Sequence, residues 1–249
     1  MTISRLKRWW LPSALLLSAL LLPEAAGAQS INIDLGGDSS TTARIVQLIA
    51  LMTVLSIAPS ILVMVTSFTR IIVVLSLLRT ALGTQTAPPN SVITGLALFL
   101  TGFVMMPTLT QAYNNGIRPL LDQQITEQQA FERTAEPFKV FMLRNVREKD
   151  LRLFLDLSKQ ETPATPDATP LQILVPAFMI SELRRAFEIG FLLFVPFLII
   201  DLVVSSILIS MGMMMVPPVT VSLPFKLIFF VLVDGWYMVA GSLVQSYGG

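Results

Sequence analysis

Asp201 interrupts the run Phe197-Leu198-Ile199-Ile200-Asp201-Leu202-Val203-Val204, and Lys226 and Asp234 interrupt a second apolar run near 223–244. An ionisable group in mid-helix is costly in lipid, by about 2.5–3.5 kcal/mol on insertion scales, so it should face protein or water. Two chemistries suit these positions. Carboxylates along a water-filled path could relay protons or pass an ion. Alternatively, Asp201, Asp234 and Lys226 form ion pairs between helices or between subunits. Pairing is the better match, because a relay more often carries His or several acids on one helix face, and the chain has no His. A second group, Glu182, Arg184, Arg185 and Glu188, has spacings of three and four. On a helix these place Glu182 beside Arg185 and Arg184 beside Glu188. The group either pairs with itself on a solvated face or meets neighbouring subunits.

The chain also lacks Cys. Without Cys or His there are no disulfides, no Cys/His metal sites and neither of the common nucleophile–base arrangements. The expectation is therefore no metal, no cofactor and no enzymatic activity. A net charge of +1 gives no reason to expect nucleic-acid binding. What remains unusual is Met211-Gly212-Met213-Met214-Met215-Val216-Pro217-Pro218. Pro217 and Pro218 cannot continue a helix, so this stretch reads as the tip of a hairpin. A tip in water is normally polar, whereas Met is apolar and adapts to many shapes. The turn either lies in a membrane interface or, if several copies converge, closes a hole as an adaptable seal.

The elements that position these residues are helical. Of the 249 residues, 53 % are hydrophobic and 13 % charged, against about a quarter charged in soluble domains. The mean hydropathy is +0.71. The class is an all-α integral membrane protein or membrane-complex subunit built from helical hairpins. Runs near 189–210 and 223–244 would each make a helix of about 33 Å, close to the hydrocarbon thickness of a bilayer. Earlier runs cover 43–65, with a kink expected at Pro59, and 92–109, with Met105-Met106-Pro107 near its end. Ile71 to Leu78 is too short to span and too apolar for a loop, which suggests burial against partner subunits. Gly83 and Pro88-Pro89-Asn90 mark a turn.

Residues 111–172 form a charged helical segment and a Pro-rich linker. Arg118 to Glu161 alone holds eight acidic and eight basic residues. Thr126 with Gln129 fits a capping box, Asn145 with Glu148 suggests a second helix start, and Pro137 is expected to divide the two helices. At the N-terminus, Arg5, Lys7 and Arg8 precede the apolar stretch Leu11–Leu22, and Ala26-Gly27-Ala28 supplies small residues before Gln29. That is the pattern of a signal peptide, 1–28, cleaved between Ala28 and Gln29, followed by a mobile lead-in, 29–42. The first hairpin region is then 43–110 and the second 173–249. An N-terminus outside the cytoplasm puts the charged segment outside too. It puts Arg70, Arg79 and Lys226 on the cytoplasmic side, as the positive-inside rule asks, but Arg184 and Arg185 on the other.

Several of these strings resemble the FliP family. They are Pro176-Ala177-Phe178-Met179-Ile180-Ser181-Glu182-Leu183-Arg184-Arg185-Ala186-Phe187-Glu188, Pro196-Phe197-Leu198-Ile199-Ile200-Asp201-Leu202-Val203, the methionine turn, Leu223-Pro224-Phe225-Lys226-Leu227 and Ser67-Phe68-Thr69-Arg70-Ile71-Ile72-Val73. The likeness extends over residues 43–249. It implies a core subunit of the flagellar type III secretion export gate: a homo-oligomer ring joined by FliQ and FliR, with FlhB and FlhA nearby and FliO assisting assembly. It implies a conical multi-subunit pore in the bacterial inner membrane, at the flagellar basal body, with a large extracytoplasmic portion and unfolded flagellar proteins as substrate. Met211, Met213, Met214 and Met215 would then form the pore seal, with Gly212, Pro217 and Pro218 making the turn. Glu182, Arg185, Asp201, Lys226 and Asp234 would supply subunit contacts. The alternatives are a homologous injectisome subunit, an ion-coupled transporter using Asp201 and Asp234, and a membrane scaffold without a pore.

Overall fold

The computed structural model describes residues 40–158, 165–213 and 215–248. The expected signal peptide with Ala28 and Gln29, nearly all of the lead-in, and Met214 lie outside the described residues. The chain divides into two units, Met1–Thr53 and Val54–Gly249, and the packing below belongs to the second. The described residues form helices and turns, with no strand among them. Helix α1, Ser40–Met64, continues through Pro59, and none of its residues from 45 to 64 is buried.

The short apolar run after α1 is helix α2, Phe68–Leu82, and its burial is internal. Ile71, Val74, Leu75, Leu78 and Leu82 recur at spacings of three and four and are almost fully buried, the stripe of a core-facing helix. They pack along the long helix α7, Leu171–Ser210, the most extensive pairing in the unit. One chain therefore supplies the cover for which partner subunits were expected. Gly83 ends α2 at φ +76°, its N–H bonded to the Thr80 carbonyl, the left-handed cap that glycine takes without strain.

Helix α3, Asn90–Ala112, opens after Pro89 and contains Pro107. It runs through one π-helical turn, Tyr113–Ile117, into the short α4, Arg118–Leu121. Thr126 caps α5, Glu127–Asn145, with the expected reciprocal box: Gln129 N–H donates to Thr126 Oγ1 at 3.4 Å and Thr126 N–H to Gln129 Oε1 at 3.3 Å. Pro137 does not divide helices; it lies buried inside α5. The carbonyl its ring deprives of a partner is that of Arg133, on an exposed stretch where water can take the bond. Nor does Asn145 cap α6, Glu148–Ser158. Its side chain donates back to the Phe141 carbonyl at 2.9 Å, and the Arg147 carbonyl instead accepts from the N–H groups of Asp150 and Leu151.

The apolar run near 189–210 is the second half of one continuous helix α7, Leu171–Ser210, 40 residues containing Pro176 and Pro196. At 1.5 Å per residue it measures about 60 Å, roughly twice a bilayer's hydrocarbon thickness. A helix of that length cannot sit wholly within lipid, so Arg184 and Arg185 have room to stand outside it. The helices α5 and α6 pack on α7; Ser181 Oγ donates to Asp150 Oδ2 at 2.7 Å and accepts from Arg147 N–H at 3.0 Å.

The final apolar run is not one helix. It splits into α8, Pro218–Leu232, and α9, Gly235–Gly248, bent by 62°. Asp234, expected inside a span, stands exposed at the break with φ +50°. A Cβ on Gly235 would come within 2.1 Å of the Phe230 ring, and Trp236 meets that ring edge-on at 5.3 Å. Among the described residues, three helical stretches, 45–64, 90–121 and 171–210, are long and apolar enough to cross a membrane, with α8 and α9 a fourth if the bent pair counts as one.

Candidate functional site: a methionine tip on two polar joints

The hairpin tip is built by the end of α7 and the start of α8. The N–H of Gly212, at φ +76°, bonds to the Ile209 carbonyl, and that of Met213 bonds to the Leu208 carbonyl at 2.9 Å. These close the helix end with a left-handed residue. Pro218 occupies the first turn of α8, where its missing N–H costs nothing. The tip side chains project outward. Met211 is 67 %, Met213 41 % and Met215 95 % exposed. Below the tip, Val203, Ile207, Met211, Val221 and Phe225 line an open apolar groove of about 570 Å³ between the two helices.

The first polar joint lies in the same hairpin, about two and a half turns back from the end of α7. Lys226 Nζ meets Asp201 Oδ2 at 2.6 Å, and Ser222 Oγ donates to Asp201 Oδ1 at 2.6 Å. Lys226 Nζ also donates to the Ala81 carbonyl at 3.3 Å. That carbonyl lies in the last turn of α2, where a cation complements the helix dipole. Lys226 thus ties α8 to α7 and α2 at once. Its side chain is 5 % exposed and that of Asp201 34 %, so Asp201 keeps one side open while Lys226 is enclosed. Both act within one chain. Asp234, at the break beyond the end of α8, takes no part.

The second joint contradicts a local expectation. Glu182 does not pair with Arg185. Its carboxylate accepts from Arg70 Nε at 3.0 Å, from Arg70 Nη2, and from the Tyr247 hydroxyl. Arg70 and Glu182 are 1 % and 0 % exposed, so Glu182 offers no surface to a neighbour. Arg70 Nη1 donates to Ser246 Oγ at 3.0 Å, and its guanidinium lies 3.8 Å over the Tyr247 ring. A bidentate guanidinium–carboxylate pair with its remaining donors satisfied is the form in which a buried charge pair can persist. Arg185 is left half-buried, while Arg184 and Glu188 do pair as their spacing predicts, at 2.9 Å on an exposed face.

Arg70, Ser222, Ser246 and Tyr247 are the members that sequence reasoning missed as partners. Glu182 and Arg70 are 112 positions apart, beyond the reach of helical spacing. No group of three or more metal-ligating side chains occurs among the described residues.

Apolar helices of membrane length, polar residues spent on internal joints, and an exposed methionine turn define a helical membrane protein whose distinctive surface is a hairpin tip. Comparison with known proteins then gives the family. The pattern of the FliP family matches residues 51–243. The chain is 62 % identical over 232 residues to the flagellar biosynthetic protein FliP of Caulobacter vibrioides, covering 93 % of this chain and 87 % of that one. It is 52 % identical to the FliP of Bacillus subtilis, covering 87 % of this chain and 98 % of that one. It is 50 % identical to the FliP of Aquifex aeolicus, covering 81 % and 85 %. The chain belongs to the FliP family.

Proposed function

We propose that this chain is a non-enzymatic, pore-forming subunit of the flagellar type III export gate, in the bacterial inner membrane at the flagellar basal body, and that its methionine turn seals the channel. Copies form a ring with FliQ and FliR, assembled with FliO and working beside FlhB and FlhA, through which unfolded flagellar proteins pass. The names of the relatives support the flagellar assignment.

The observation that carries the seal is the exposed tip. Met215 is 95 % and Met211 67 % exposed at the end of a hairpin whose base is fixed by Lys226, Asp201 and Ser222. Exposed apolar side chains on a well-anchored turn mark a surface made to meet something else. Methionine supplies contact that can repack around different side chains, and apolar constrictions close pores by excluding water. The ion-coupled reading has less support, because Asp201 is engaged by a lysine and a serine and Asp234 stands at a helix break.

The test is to replace Met213, Met214 and Met215 together with Ala in the assembled complex. Native mass spectrometry should show unchanged stoichiometry, and flux of small ions through reconstituted vesicles should rise. Unchanged flux with intact assembly sinks the seal.

A further inference from the structure

Helix α9 is held differently at its two ends. One stripe, Gly235, Val239, Leu243 and Tyr247, is buried, while Trp236, Tyr237 and Met238 are exposed. Its backbone packs chiefly on α3 and α8. At its start the chain turns through 62° at Asp234, whose φ of +50° lies in a region that L-residues other than glycine rarely adopt. At its far end the ties to α2 and α7 are polar. Ser246 Oγ accepts from Arg70, the Tyr247 hydroxyl donates to Glu182, and the Tyr247 ring stacks on Phe141 at 5.8 Å. Beside this last turn, between α3, α5 and α9, lies a cavity of about 360 Å³ lined by Phe103, Gln111, Phe141, Arg144 and Tyr247. The end of α9 therefore has free volume along one flank.

We infer that α9 is a strap that pivots at Asp234 and is latched by Tyr247 onto the Arg70–Glu182 pair. Latched, its last turn keeps Arg70 and Glu182 from solvent. Released, it uncovers the one fully buried charge pair among the described residues, together with the apolar stripe of α9 itself. A hinge of one or two residues joined to a rigid helix is a common form of such a device. The strap lies within one chain and does not depend on the pore reading.

The chain has no Cys, so an introduced thiol is unique. Val239→Cys reports on the buried stripe of α9, and Ala177→Cys on the core of α7, 0 % exposed in the native chain. Each is placed in the full chain in detergent, with and without Tyr247→Phe, and alkylated with N-ethylmaleimide. Tyr247→Phe removes one oxygen and leaves the ring in place. The expected result is labelling of Val239→Cys faster by about tenfold or more, the population change that loss of one charged hydrogen bond brings, with Ala177→Cys unchanged. Ser246→Ala, which removes one acceptor for Arg70, should give the same selective pattern at smaller size. Two results overturn the strap. One is unchanged labelling of Val239→Cys in both backgrounds. The other is equal acceleration at Val239→Cys and Ala177→Cys, which means that the polar cluster holds the whole core and not α9.

Discussion

Replacing Glu182 by Gln keeps the volume and shape of the side chain but removes the charge that answers Arg70. Both groups are buried, at 0 % and 1 % exposure, so neither water nor a surface carboxylate can step in. The amide oxygen can still accept one bond from Arg70, but the amide nitrogen then faces a guanidinium donor. Removing one partner of a buried pair costs about 3–5 kcal/mol. For a chain of this size each kcal/mol moves the midpoint by about 2–4 °C, so the loss is about 6–20 °C. The assay is thermal unfolding of the detergent-solubilised chain, followed by loss of the monodisperse peak in gel filtration. The double variant Arg70→Met with Glu182→Leu removes both charges at similar volume. It should recover to within about 1–2 kcal/mol of the parent, since apolar replacement of a whole buried pair is often near neutral. The Tyr247 hydroxyl, which loses its carboxylate in that variant, still has the Ser67 carbonyl at 3.4 Å. A Glu182→Gln protein that melts with the parent, or a double variant no better than the single, refutes the reasoning that an orphaned charge is the source of the loss.

The Lys226 joint should behave asymmetrically. Lys226→Met strips Asp201 and the Ala81 carbonyl of a donor together and should cost about 1–3 kcal/mol. Asp201→Asn leaves a single acceptor oxygen for Lys226 and Ser222 and strips the enclosed Lys226 ammonium, 5 % exposed against 34 % for Asp201, of its counter-charge, so it should cost more; equal melting points for the two variants would count against the three-way tie. At the elbow, Gly235→Ala forces a methyl into the Phe230 ring and should destabilise by about 1–3 kcal/mol. Gly102→Ala in α3 meets nothing within 4 Å and should be neutral or stabilising by about 0.5–1 kcal/mol, a contrast that the same thermal assay reads directly.

Features set by near neighbours were legible in the sequence. Thr126 and Gln129 form their box because a capping box depends on four consecutive residues. The methionine turn was bounded by Pro217 and Pro218, which act on their own backbone. Arg184 and Glu188 pair because one helical turn joins them. The same rule joins Glu182 to Arg185, but Glu182 meets Arg70 instead, because burial rewards a bidentate partner from another helix over a half-buried neighbour on its own. The run Ile71–Leu78 was read correctly as buried and wrongly as buried by partner subunits, since hydropathy records that a face is covered but not by what. The 62° elbow leaves no mark in hydropathy, because the run stays apolar through it. Asp234-Gly235, a turn dipeptide, was the signal that could have marked it. Pro137 misled in the opposite direction, as its helix continues where an exposed stretch allows water to replace the lost bond.

The central claim is that methionine tips of several copies converge. Met215→Cys in the cysteine-free chain tests this without any flux measurement. Disulfides form only when the two Cα atoms approach to about 4.4–6.8 Å, so mild oxidation of the membrane-embedded complex reports tip-to-tip contact. Met106→Cys is the control, at a position also exposed in the single chain, 60 % against 95 %. The account predicts cross-linked dimers from Met215→Cys and far fewer from Met106→Cys. Monomer alone at Met215→Cys, or equal cross-linking at the two positions, would contradict it.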